Sequence, residues 1–398
     1  MTTTHYLSKL ETILSEPVAS VKEREAHAFD RQLAECSGQV VLFGAGSLGK
    51  TALKCLRSIG IEPLAFCDNN PDRWNGMVQG VPALSPQGAS AQFGKSALFI
   101  VTIWSLGHRY AETKETLRKL GCRRVTPASS LRWKFADILM PYFCQDLPHK
   151  MFQNSESVLK TASLWGDDKS REEYLRQVEW RASGDYGVLS KPDLEESYFP
   201  SSIFELSQGE FFVDCGSYTG DTLQQFLQRT ANEFAGAVAV EPDPKNFSAL
   251  RDWIDGLNPD IGNRIQLNKV AVGSTRGQVR FAADGGEGSS IRGDGDIVVD
   301  CVRLDDLLAD SSPTYIKMDI EGAEPDALMG AENTLSKHRP VLSICVYHAQ
   351  DHVWSIPALI HKLAPDYRLF LRPHDVDGWQ LVLYAIPQER CAITEQSR

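Results

Sequence analysis

The stretch F-V-D-C-G-S-Y-T-G-D-T, Phe212 to Thr222, carries the most information in the chain. Phe211, Phe212 and Val213 form a short apolar run of strand-forming residues. Asp214, Gly216 and Gly220 interrupt it before the amphipathic pattern Thr222-Leu223-Gln224-Gln225-Phe226-Leu227 begins, which reads as strand, glycine turn, helix. In an open α/β sheet such a turn brings bare backbone to a ligand at the carboxyl end of a parallel strand. An acid at the start of the turn and only two glycines suit a ligand with hydroxyls and positive charge better than a pyrophosphate, which calls for a lysine or an uncluttered helix amino terminus.

Outside this stretch, 398 residues exceed the usual single domain, so two α/β domains with an intervening segment are expected. With 42% hydrophobic and 23% charged residues the composition is that of an ordinary soluble protein. A net charge of −11 and the absence of a basic stripe argue against a nucleic-acid partner. The apolar run Ala97 to Trp104 is far too short to span a membrane, and the first thirty residues show no secretory leader, which together imply a cytoplasmic protein. Nine cysteines without a C-x-x-C pair read as small buried hydrophobes, and neither a disulfide framework nor structural zinc is expected.

Residues 1–38 form an amphipathic helical segment, with Leu7, Leu10, Ile13 and Leu14 on one face, expected to pack on the first domain or on a second subunit of a homo-oligomer. Residues 39–130 read as a Rossmann-like domain. The strand Val40-Val41-Leu42-Phe43 enters G-x-G-x-x-G at Gly44, Gly46 and Gly49, followed by Lys50, and a second strand ends at Asp68, where a ribose-binding acid would sit. Asn69 to Pro86 reads as a turn-rich connection without elements of its own. The region resembles the amino-terminal domain of sugar O-acyltransferases of the PglD type, which implies a nucleotide-sugar or substrate-recruiting role for Gly44, Gly46, Gly49, Lys50 and Asp68. A NAD site and a scaffold that holds nothing are the alternatives. Residues 131–207 read as a helical linker or cap, with Tyr174, Val178 and Arg181 at helical spacing.

The second α/β domain spans 208–390. Its second strand, Ala237 to Val240, delivers Glu241, Pro242 and Asp243, and a carboxylate there can accept both hydroxyls of a ribose diol. Its third strand leads through the turn at Ala271, where an adenine edge would fall, to the glycine-rich loop Asp284 to Ser290, expected to close over the site. Strand four, Tyr315 to Met318, ends in Asp319, Glu321 and Glu324, and strand five delivers Tyr347-His348 and then Asp351-His352. Carboxylates this dense beside a lysine, at the end of a buried parallel strand, need partners, so they mark a site. With the turn at Asp214, they describe a pocket for the nucleoside and methionine halves of S-adenosylmethionine.

These ordered motifs (D-C-G-S-Y-T-G-D-T, V-A-V-E-P-D-P, the A-V-G turn, I-K-M-D-I-E-G-A-E and V-Y-H) resemble the FkbM family of S-adenosylmethionine-dependent methyltransferases over roughly residues 160–386. The resemblance implies a class I methyltransferase fold, S-adenosylmethionine as donor, and O-methylation of a small-molecule or glycan acceptor. Asp214, Gly216, Gly220, Asp221 and Thr222 would take the methionine side, Glu241 the ribose and Ala271 the adenine region, with Ser217, Tyr218, Pro242, Asp243 and Asp319 completing the cofactor set. Glu321, Glu324 and Tyr347 are the acceptor-side candidates. His348 is the expected general base because its ordinary pKa is about 6.5. Asp319 and Asp351 serve as bases or orienting groups instead, and no metal is expected. A non-catalytic binding protein and a NAD-linked oxidoreductase remain the other readings.

Overall fold

The computed structural model describes residues 3–193, 197–283, 285, 289–291, 293 and 295–392. Two open sheets organise it. The first contains β1 (Val40–Phe43), β2 (Ala65–Cys67), β3 (Gly76–Val78), β4 (Val81–Leu84), β5 (Leu98–Val101) and β6 (Arg124–Pro127) in the order β3-β4-β2-β1-β5-β6. All neighbours are parallel except β3 and β4. β1 and β5 are buried along their whole length, as continuous apolar runs covered on both faces must be.

The pair β3–β4 corrects the reading of 69–86 as a structureless connection. Gln79 and Gly80, with φ of 51° and 86°, make a two-residue turn whose left-handed twist suits an antiparallel hairpin. The turn-forming composition is real, but it serves a short and largely exposed strand.

The first helix, Thr3–Leu14, also departs from expectation. Tyr6, Leu10 and Leu14 join the apolar cluster that includes Val158 and Tyr174, so its stripe is buried on the helical segment and not on the first sheet. The second helix, Val18–Ala34, reaches the first domain's core through Phe29. In the helical segment, Asp167 caps Asp168–Ser183 by accepting the Ser170 N–H at 2.9 Å, and Gly184 ends that helix at φ 70°.

The second sheet begins with β7 (Phe211–Cys215), β8 (Gly236–Val240) and β9 (Ile265–Asn268). A small mixed insert follows, made of β10 (Ala271–Val272), β11 (Gly277–Ala282), β12 (Ser290–Ile291) and β13 (Ile297–Val302), antiparallel except where β10 pairs with β13. β14 (Tyr315–Met318), β15 (Val341–Cys345), β16 (Tyr367–Pro373) and β17 (Leu381–Pro387) complete the sheet in the order β16-β17-β15-β14-β7-β8-β9, with β17 antiparallel to both neighbours. The strand order reverses at β7, and the crevice outside the carboxyl ends of β7, β8 and β14 is where such a sheet binds ligands. The insert was not foreseen: its strands are short and partly exposed, and the run Ile297-Val298-Val299 of β13 lies outside the strands expected from the sequence. Asp284 and Gly286 to Gly288 of the predicted closing loop lie outside the described residues.

Candidate active site

A cavity of about 1090 Å³ opens at that crevice. At one end stands Glu241, buried at the tip of β8, whose carboxylate accepts the backbone N–H groups of Tyr218 at 2.9 Å and Asp243 at 2.8 Å. Burial pushes its pKa up to about 7, against the pull of those two N–H donors. Gly216, Tyr218, Asp221, Thr222, Pro242 and Ala271 share the wall with it. The insert adds Phe281 and Ile291 beside Ala271, which no sequence motif announced, and Ser289 of the expected closing loop.

Several predicted cofactor residues stand behind the wall. Ser217 is fully buried and pins the turn, its hydroxyl donating to the Asp214 carbonyl at 2.8 Å and accepting from Val240 N–H at 3.1 Å. Gly220, at φ 98°, sits where a Cβ would meet Trp253 and Leu250 at 2.8 and 2.9 Å. Asp243 caps Pro244–Asp255 by accepting the Lys245 N–H at 2.8 Å, and it ties down the insert through Ser289 Oγ at 2.8 Å. Asp214 is wholly buried and pairs with Lys317 Nζ at 3.0 Å, while the same ammonium donates to the Gly216 carbonyl at 2.7 Å. Burial alone would lower the Lys317 pKa, but Asp214 and then Asp319 hold it above the usual range, so the β7 and β14 tips are joined by a charged clamp.

The other end of the cavity is acidic and aromatic. Asp319 accepts a hydrogen bond from Tyr198 Oη at 2.8 Å and lies 3.2 Å from His348 Nε2, with Glu321 3.6 Å from the same nitrogen. Glu324 is fully buried and engages the opposite ring nitrogen, Nδ1, at 2.8 Å, while accepting the N–H groups of Ile320 and Gly322 at 2.9 and 3.1 Å. Burial would lower the His348 pKa. Glu324, Asp319 and Glu321 together carry it well above 6.5, so the ring is an imidazolium. The same pairing with His348, helped by Lys317, holds Asp319 below the ordinary carboxylate range despite burial. That direction disfavours His348 as a free base, because a ring protonated on both nitrogens has no lone pair to offer. Asp319, Glu324 and His348 have donor atoms within 4.8 Å of one another, but the two carboxylates approach opposite edges of the ring.

Asp319, Glu321 and Tyr347 line the cavity, and Glu324 and His348 support them from behind. Asp351 does not reach it; this predicted base is exposed at the start of His352–Leu363. Tyr198, Tyr142, Phe143, Trp104 and Trp379 belong to the wall and lay in no motif. Backbone strain is the signal that finds some of them. Phe143, Tyr198, Tyr218, Glu321 and Gln380 all have φ between 46° and 70°, and all line this cavity. Left-handed non-glycine residues cost of order 1–3 kcal/mol each and gather at functional sites.

The first domain's fingerprint is used internally. Asp68 accepts the Ala45 N–H at 2.8 Å, the Asn70 N–H at 2.9 Å and Arg73 Nη1 at 2.8 Å, so the expected ribose acid is already partnered. A Cβ at Gly49 would lie 2.0 Å from the Gly44 carbonyl, and one at Gly44 would lie 2.4 Å from Ile103, which makes both glycines packing residues. Gly46 and Lys50 are exposed, and all five residues lie off the cavity wall. These contacts suit the scaffold alternative for the first domain.

A sheet of this order, with an acid at the tip of its second strand and a glycine turn after its first, defines a class I S-adenosylmethionine-dependent methyltransferase domain. Residues 214–375 match the methyltransferase FkbM domain, and the donor of this methyltransferase domain is S-adenosylmethionine. A relative, the 2-O-methyltransferase NoeI of Sinorhizobium fredii, is 28% identical over 151 residues, covering 32% of this chain and 59% of NoeI. The crystal structure of a methyltransferase FkbM from Methylobacillus flagellatus superposes with a TM-score of 0.74 at 22% identity, over 96% of this chain and 98% of the other, so the fold is shared across both sheets.

Proposed function

We propose that this chain transfers a methyl group from S-adenosylmethionine to a hydroxyl oxygen of a saccharide or a related natural product. The observation that carries the reading is the division of one cavity into two chemically distinct ends, a buried acid with a glycine turn at one and a carboxylate and aromatic cluster at the other. The residues at the first end fit the donor. Glu241 offers a carboxylate to a ribose diol, and Gly216, whose Cβ would collide with the Asp319 carbonyl at 1.9 Å, lets the turn close against the β14 tip beside it. Transfer to oxygen is supported by the name of NoeI, a 2-O-methyltransferase.

When bound, the donor supplies a methyl carbon activated by a positive sulfur. The chain's own residues position the acceptor and take its proton. Asp319 and Glu321 present carboxylate oxygens to a hydroxyl entering beside Tyr347, which fixes the attacking oxygen. As the oxygen–carbon bond forms and the carbon–sulfur bond breaks, the hydroxyl proton moves onto the Asp319–Glu321 carboxylate pair and from there to solvent, with Asp319, held ionised by His348 and Lys317, accepting the hydroxyl's hydrogen bond. Three carboxylates surround a single imidazolium there, so added positive charge is favourable. His348 acts as a positioning residue, holding Asp319 and Glu321 in place while Glu324 fixes the ring.

Titration calorimetry with S-adenosylmethionine tests the donor half. Glu241→Ala is expected to weaken binding by roughly ten- to a hundredfold, the value of hydrogen bonds to a charged group. An unchanged Kd would remove Glu241 from the site. Tritium transfer to methyl pyranosides of the common hexoses tests the acceptor half.

A further inference from the structure

We infer that the first domain selects the acceptor, through an aromatic wall that stacks against the face of a pyranose ring; this rests on the methyl-transfer reading above. The cavity, at about 1090 Å³, exceeds the roughly 300–1,000 Å³ of a single small-molecule site, which leaves room for donor and acceptor together. Its far wall is built from three separate parts of the chain. Trp104 and Leu106 follow β5 of the first sheet, Tyr142 and Phe143 come from the helical segment, and Trp379 precedes β17.

The rings form one continuous ladder. Trp104 stacks on Trp379 with centroids 4.0 Å apart and planes 23° from parallel, Tyr142 meets Trp104 edge-on at 5.3 Å, and Tyr347 meets Trp379 edge-on at 5.8 Å. Tyr347 in turn adjoins His348 at 4.2 Å, so the ladder runs from the carboxylate cluster out to the first domain. At its mouth Leu106 and Tyr142 are 41% and 39% exposed, large apolar surface facing the cavity. A pyranose has hydroxyls on its rim and C–H bonds on its faces. The carboxylates of Asp319 and Glu321 suit the first, and aromatic and aliphatic surface suits the second.

The wall is held rigidly. The Trp104 indole N–H donates to the Asp377 carbonyl at 2.8 Å, and the Tyr110 backbone N–H donates to the Asp377 carboxylate at 2.7 Å, fastening the loop after β5 to the loop between β16 and β17. Behind it the buried Arg132 guanidinium lies 4.8 Å from the Tyr142 ring centroid and 5.8 Å from that of Trp104. A domain attached this way contributes a fixed wall, which is how a specificity-determining surface acts.

The test uses the full chain, calorimetry with S-adenosylmethionine, and tritium transfer to methyl pyranosides of the common hexoses, with open-chain sorbitol as control. Tyr142→Ala and Leu106→Asp, both at exposed positions, are expected to keep the wild-type donor Kd. They should raise KM for the best pyranoside about two- to tenfold, the range for loss of an aromatic contact, with kcat nearly unchanged. Saturation-transfer NMR on the same pyranoside should weaken in step. Unchanged KM in both variants, or methylation of sorbitol as efficiently as of pyranosides, would overturn the inference while leaving methyl transfer intact. Donor binding with no turnover of any pyranoside overturns the saccharide assignment. Failure of the wild-type chain to bind S-adenosylmethionine instead defeats the underlying functional reading.

Discussion

Glu241 joins sequence, energetics and function in one side chain. Its carboxyl titrates near 7, because burial disfavours the charge more than two backbone N–H groups restore it. An acid whose folded pKa lies above its unfolded value of about 4.3 binds its proton more tightly in the folded state. As pH rises through 7 the free protein must therefore accept a buried charge, and this group's contribution to stability falls. A ribose diol donates to the ionised form, so donor binding gains what the free protein loses. Affinity for S-adenosylmethionine should strengthen up to about tenfold between pH 6 and pH 8, following the ionised fraction of a group titrating near 7. In Glu241→Gln the dependence should vanish. Calorimetry across that range checks this, and a flat wild-type profile would mean that the carboxylate does not contact the donor. His348 teaches the complementary lesson, since three carboxylates turn a residue type associated with proton abstraction into a fixed cation.

At the scale of elements, the turn after β7 works only because it touches the tip of β14. Gly216 has φ 79°, and a Cβ there would lie 1.9 Å from the Asp319 carbonyl, a backbone atom that cannot move aside without parting two hydrogen-bonded strands. Gly216→Ala should lower stability by at least about 1–3 kcal/mol and abolish measurable donor binding. Gly209→Ala, where nothing lies within 4 Å of the new methyl group, should do neither. Thermal unfolding and calorimetry on the two variants decide it. If Gly216→Ala behaved like the control, the turn would not be the close approach described. The insert matters at the same scale: β10 to β13 close one side of the cavity through Phe281 and Ile291, although β10 and β12 are only two residues long and β11 and β13 are largely exposed.

Over the whole molecule, two sheets built on similar rules have different tasks. In the second, the acid at the β8 tip faces the cavity; in the first, Asp68 is folded back onto Ala45 and Arg73. Donor at a hundred times its Kd should stabilise the protein by about 2.7 kcal/mol, raising Tm, while NAD and UDP-glucose should leave Tm unchanged. A shift with either nucleotide would show that Asp68 can be released and that the first fingerprint binds.

The linear order of residues was enough for the class I sheet, the donor class and the acidic strand tips. Each follows from local patterns: an apolar run ending in a glycine turn at Gly216, or in an acid at Glu241 or Asp319. Such patterns carry a register and a chain direction, which place their tips on one edge of a parallel sheet. What lay beyond that reading depends on contacts between distant positions. The charge state of His348 needs Glu324 and Asp319 at different nitrogens of its ring, and the internal partnering of Asp68 needs Arg73 and Ala45 brought to it. The acceptor wall needs Trp104, Tyr142 and Trp379 brought together from three segments. Desolvation and pairing are properties of three-dimensional neighbourhoods, so only the folded chain sets them.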